Sequence, residues 1–100
     1  MQFCINAKTI DVSNNRISDL TPLFGLTNLE ELNLSDNQIG YIDGIGNLVN
    51  MKSILLSNNY IEDISPLFEL KMLEYADLTE NKLDIKQINK LIESGVVVDY

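Results

Sequence analysis

The sequence predicts an α/β solenoid with short parallel strands on a concave face and 3₁₀ or irregular turns on a convex face. A C-terminal capping helix and one final strand close it. Three observations predict this. An asparagine returns every 22 residues, at Asn15, Asn37, Asn59 and Asn81. Apolar residues return in phase with it. The periodicity then breaks into a capped amphipathic segment.

The clearest copy runs Leu29-x-x-Leu32-x-Leu34-x-x-Asn37-x-Ile39-x-x-Ile42-x-x-Ile45-x-x-Leu48. The next copy carries Met51, Ile54, Leu56, Asn59, Ile61, Ile64, Leu67 and Leu70, and the preceding one Ala7, Ile10, Val12, Asn15, Ile17, Leu20, Leu23 and Leu26. The last reads Leu73, Ala76, Leu78, Asn81 and Leu83, then departs at Lys86. Each copy holds a short alternating stretch, such as Leu32-Asn33-Leu34, that reads as a strand. One copy cannot bury its own inward side chains. Stacked copies place parallel strands about 4.8 Å apart and merge those side chains into one core. The asparagine falls where the chain leaves the strand, and its amide both donates and accepts, so Asn15, Asn37, Asn59 and Asn81 form a structural ladder.

On the convex side, Thr21-Pro22 and Ser65-Pro66 open a helical or 3₁₀ turn, because proline in the first helical position gives up no needed N–H. Phe24 and Phe68 share a phase there and read as structural. After Leu83, Asp84-Ile85-Lys86-Gln87 resembles a capping box. Ile85, Ile88, Leu91 and Ile92 form one helical face, and Gly95 stops the helix. Val96-Val97-Val98-Asp99-Tyr100 continues the register as a fifth rung. The chain therefore reads as one domain over 1–100. Residues 1–9 are a partial repeat or N-terminal edge, 10–83 the repeats, and 84–100 the cap helix and strand. Met1 and Cys4 fall on core phases. The N-terminal edge has three readings: an improvised cap, a lost preceding segment, or a homodimer formed through the open edge.

The motif L-x-x-L-x-L-x-x-N-x-I resembles the leucine-rich-repeat family. The 22-residue period and the phrases Thr21-Pro22-Leu23-Phe24-Gly25-Leu26 and Ser65-Pro66-Leu67-Phe68-Glu69-Leu70 look like its bacterial internalin-like subclass. The resemblance covers almost the whole chain. It implies a non-catalytic module that binds another protein on its concave face.

Composition narrows the function further. The formal charge is −8 and there is no histidine. A nucleic-acid binder needs a basic footprint, so direct nucleic-acid binding is not expected. No apolar run approaches the roughly 20 residues of a membrane helix. No signal peptide is visible and the one cysteine, Cys4, makes no internal disulfide, so a cytoplasmic location is expected, although a fragment of an exported protein would look the same. Cys4 reads as a small buried hydrophobe. No cofactor is expected. No D-x-D-x-D-G loop occurs, so acids on separate rungs make a field rather than a metal cage. Asn33-Leu34-Ser35 matches a glycosylation sequon but lies in a strand. Without a histidine, a phosphate loop or a nucleophile elbow, no enzyme activity is expected.

The alternate strand residues face the concave side in columns. The first column is Thr9, Glu31, Ser53, Tyr75 and Val97; the second is Asp11, Asn33, Leu55, Asp77 and Asp99. Ser13, Ser35, Ser57 and Thr79 form a third, and Asn14, Asp36, Asn58 and Glu80 a fourth, with Arg16, Gln38, Tyr60 and Lys82 at its rim. Leu55 and Tyr75 are apolar residues on adjacent rungs of a face that should be wet, ringed by acids. The candidate partner-binding set is Leu55, Tyr75, Asp77, Asp99, Asp11, Glu31, Asn33 and Tyr60, with Tyr41 as a further exposed aromatic. The expected partner is a protein with a basic or amphipathic surface. Two alternatives stand beside this reading. One is a small acidic inhibitor, possibly of phage type, seated in the basic nucleic-acid groove of an enzyme. The other is a terminal structural piece of a longer leucine-rich-repeat protein.

Overall fold

The structure, a computed structural model, describes residues 7–100; the core placement expected for Met1 and Cys4 lies outside that range. Five three-residue strands stack in parallel and in sequence order: β1 (Thr9–Asp11), β2 (Glu31–Asn33), β3 (Ser53–Leu55), β4 (Tyr75–Asp77) and β5 (Val97–Asp99). Each residue pairs with the one 22 positions on, Thr9 with Glu31 through to Asp77 with Asp99. The strands are shorter than the alternating pattern suggests. Leu34 and Leu56 are buried but lie just past the strand, where the chain has begun to turn.

Three 3₁₀ turns, Thr21–Leu23, Ile45–Asn47 and Ser65–Glu69, line the convex side. The first and third carry proline in their first turn, as the Thr-Pro and Ser-Pro phrases imply. The second begins instead from Gly44 at φ 88°. A Cβ there would sit 2.5 Å from the Phe24 ring, so backbone conformation and packing both require glycine. Phe24 and Phe68 are partly buried against the core, in the structural role their phase implies.

The central rungs seal the core best. Leu29, Leu34, Ile39, Ile45, Met51, Ile54, Ile61 and Ile64 are fully buried, each worth about 1.5–3 kcal/mol relative to exposure. Asparagine side chains staple successive rungs together. Asn59 accepts from Ile39 N–H at 3.0 Å and donates to the carbonyls of Leu34, Leu56 and Ser57. Asn37 does the same for Ile17, Val12, Leu34 and Ser35, and Asn81 for Ile61, Leu56, Leu78 and Thr79. Asn15 is exposed and, among the described residues, bonds within its own rung, to the Val12 and Ser13 carbonyls.

The cap helix α1 spans Ile85–Glu93, and Asp84 caps it by accepting from Lys86 N–H at 2.9 Å. Two details differ from the sequence expectation. Gln87 does not complete a capping box. Its Oε1 accepts from Ile64 N–H and its Nε2 donates to Asp63, so it bridges to the preceding rung as a ladder asparagine would. Of the expected apolar face only Ile88 and Leu91 are buried, whereas Ile85 and Ile92 are exposed, because the helix lies along one short rung and only part of its face finds core. The helix ends in a Schellman motif: Gly95 at φ 102° donates to Ile92, and Val96 donates to Leu91.

Candidate functional site

The first two columns meet side by side on the sheet face, in the register the spacing implies. Asp11, Glu31, Asn33 and Leu55 come together with Ser53 around a concave depression of about 320 Å³ across β1, β2 and β3. Its apolar lining is Ile10, Leu32 and Leu55, of which Ile10 and Leu32 are buried in the core and Leu55 is half-buried. Tyr75, Asp77 and Asp99 form a second group beside it on β4 and β5. Leu55 pairs with Asp77 and Tyr75 with Ser53, so Leu55 and Tyr75 are diagonal neighbours on adjacent strands. Val97, directly beside Tyr75, is 64 % exposed and extends the apolar surface. Tyr60 is elsewhere: it lines a separate cleft with Tyr41 on the flank.

The structure also shows what the acids of the second column do. Asp11, Asn33 and Asp77 each accept, on a side-chain oxygen, the backbone N–H two residues on, from Ser13, Ser35 and Thr79 at 3.0–3.1 Å. These Asx turns guide the chain off the strand. The Ser13 hydroxyl and then its N–H hold the Asp11 carboxyl below the usual aspartate value. Leu55 stands in the same column and cannot make this bond. Comparing phases across the four repeats would have found it, since the other strand ends carry Asp or Asn.

Two outer columns differ from the expectation of open concave positions. Ser35 is buried and Ser13, Ser57 and Thr79 are half-buried at the corner after the strand. Asn14, Asp36, Asn58 and Glu80 all adopt left-handed backbone at φ 54–60°. Their shared role is the turn itself, which asparagine and aspartate tolerate best. Asn58 also donates to Asp36 at 2.8 Å across the rungs.

Tyr75 is anchored at its tip. Its hydroxyl donates to Asp99 Oδ2 at 2.5 Å, and that bond, with lesser help from desolvation and the Asp99 and Asp77 charges, pushes its pKa up to about 12. At the opposite end of the strands, Glu30 lies between Lys8 and Lys52, 4.0 and 3.5 Å away. Exposed pairs of this kind contribute about 1 kcal/mol or less. They occupy two of the seven cations, and among the described residues no salt bridge reaches the acids of the concave columns. Among the described residues no group of three or more His, Cys, Asp or Glu is placed to hold a metal ion, and no helix is long and apolar enough to cross a membrane.

Stacked 22-residue rungs, with an open sheet on one side and an asparagine ladder beneath the corner, define a repeat-type scaffold. A family model described as leucine-rich repeats (2 copies) matches residues 8–47 and 27–69, and the chain belongs to the leucine-rich-repeat family. Solved structures agree. An internalin C2 of Listeria monocytogenes is 34% identical with a TM-score of 0.72, covering 74% of this chain and 33% of that one. An internalin F of the same organism is 35% identical with a TM-score of 0.75, covering 84% and 25%. A leucine-rich-repeat protein of Leptospira interrogans is 26% identical with a TM-score of 0.81, covering 93% and 25%. This chain thus spans a third or less of those structures. No curated protein matches it in sequence. The internalin-like resemblance read from the Pro-Leu-Phe phrases is thereby shown. Modules of this fold are generally protein-binding and typically non-catalytic.

Proposed function

We propose that the chain is a non-catalytic recognition module that holds a basic or amphipathic protein surface on its concave face. Leu55 carries this reading. The other three repeats spend the equivalent position on an Asx turn, whereas Leu55 gives up that bond and presents an apolar wall to an open depression. Asp11, Glu31, Asp77 and Asp99 surround it with negative potential, which steers a basic partner and fixes its register. Tyr75, pinned by Asp99, offers a ring whose ordering cost is already met. An open sheet gives little of the desolvation that acid–base chemistry requires, which supports a binding role over an enzymatic one.

The test is affinity capture with wild type, Leu55→Asn and Tyr75→Ala in parallel, each first checked for unchanged thermal unfolding. A specific protein retained by wild type and lost from both variants supports the reading. Capture that ignores both substitutions but disappears when Asp11, Asp77 and Asp99 are neutralised together, and that nucleic acid competes away, overturns it in favour of the acidic-inhibitor alternative.

A further inference from the structure

Tyr41 and Tyr60 project from consecutive rungs on the flank where the chain leaves the sheet. With Gly40, Glu62 and Asp63 they line a cleft of about 400 Å³. Neither ring belongs to the core: they are 82 % and 62 % exposed. Gly40 forms part of the wall at the phase where Ser18, Glu62 and Asp84 stand in the other repeats. Its backbone is not left-handed, and a Cβ there would meet nothing within 4 Å. The fold does not require glycine at this point, and the missing side chain keeps the cleft open. Tyr41 occupies the phase of Asp19 and Asp63, which accept from Thr21 and Ser65 to start their turns. The turn after Tyr41 starts from Gly44 instead, which frees position 41 for another use.

The electrostatics of the cleft point one way. Asp63 accepts on Oδ1 from Ser65 N–H and the Gln87 amide, and these, with the Ser65 hydroxyl, hold it ionised below the usual aspartate value. The Glu62 carboxylate has no hydrogen-bond or ion-pair partner among the described residues. Among those residues no cation lines the cleft either; Lys82, one rung beyond Tyr60 in the same phase, is outside the lining.

We propose that this cleft receives an arginine side chain of a partner protein. A planar guanidinium stacks on a tyrosine face while its N–H fork reaches carboxylates, and so uses both kinds of wall at once. A lysine ammonium matches the charge but neither the plane nor the fork. The contact lies on the flank and does not depend on the concave-face reading.

The test is an amide-resolved NMR titration of the full chain with a short, terminally blocked glycine peptide carrying one arginine. Its lysine and citrulline analogues run beside it. Saturable shifts confined to Gly40, Tyr41, Tyr60, Glu62, Asp63 and their neighbours are expected with the arginine peptide. Gly40→Leu, Tyr60→Ala and Glu62→Gln should each weaken binding about tenfold, with circular dichroism unchanged because all three positions lie at the cleft rather than in the core. Leu55→Asn should leave the titration untouched. Equal response to lysine or citrulline, shifts spread over the concave acids, or no shift at all would overturn the assignment.

Discussion

The Tyr75 hydroxyl donates to Asp99 Oδ2 at 2.5 Å, crossing from β4 to β5 and tying the concave face to the last rung. Folding favours the protonated phenol, since its pKa rises from the ordinary 10.0 to about 12. The stabilisation is therefore fully present below about pH 10 and is lost as pH climbs through 12. An ultraviolet titration of tyrosinate should show a late component near pH 12 that Tyr75→Phe removes. If the Tyr75→Phe trace matches wild type, the bond is not present in solution.

At the acidic end the sign reverses. The Thr21 hydroxyl and N–H lower the Asp19 pKa, as Ser13 does for Asp11 and the Ser65 N–H with Gln87 for Asp63, all from an ordinary 3.8. Their contribution is complete above that value and drains away as pH falls through the lower folded-state values. Urea midpoints should thus decline below about pH 4, and Asp19→Asn should make the decline shallower.

Leu55→Asn separates stability from recognition. The substitution gives up part of a half-buried leucine but restores an Asx turn to Ser57, matching the bonds at Asn33 and Asp77. These two effects offset, and the unfolding free energy should stay within about 1 kcal/mol of wild type. A collapse of stability in chemical denaturation would show Leu55 to be core rather than contact surface.

Ladder asparagines should differ by rung. Asn59→Ala orphans Ile39 N–H and the carbonyls it served inside the stack, and should cost about 3–5 kcal/mol. Asn15→Ala, at an exposed rung, should cost under about 1 kcal/mol. Equilibrium unfolding of the two variants measures the difference directly.

Glu80 is the poorest fit to its backbone. At φ 58° it shares the left-handed conformation of Asn14, Asp36 and Asn58 without their short polar side chain. Glu80→Asn should therefore stabilise by about 0.5–1 kcal/mol, and Glu80→Val should destabilise. A higher melting temperature for the asparagine variant is the readout.

Residues 22 apart had to land beside one another once the rungs stacked, so the architecture, the strand register and the asparagine ladder were legible in the sequence alone. A linear period maps directly onto a one-dimensional stack, with each rung contacting only its neighbours. The columns placing Asp11, Asn33, Leu55 and Asp77 in one line followed from the same arithmetic. Tertiary structure decided what period cannot encode. It gave Asp11, Asn33 and Asp77 backbone partners two residues away, sent Gln87 to the previous rung instead of its own helix end, and set Asn14, Asp36, Asn58 and Glu80 in left-handed turns. It also set Tyr60, which spacing puts at the rim, beside Tyr41 and Gly40 in one cleft. Each outcome depends on the direction of a side chain at a corner and on which backbone groups lie within hydrogen-bond reach, and spacing along the chain does not carry that direction.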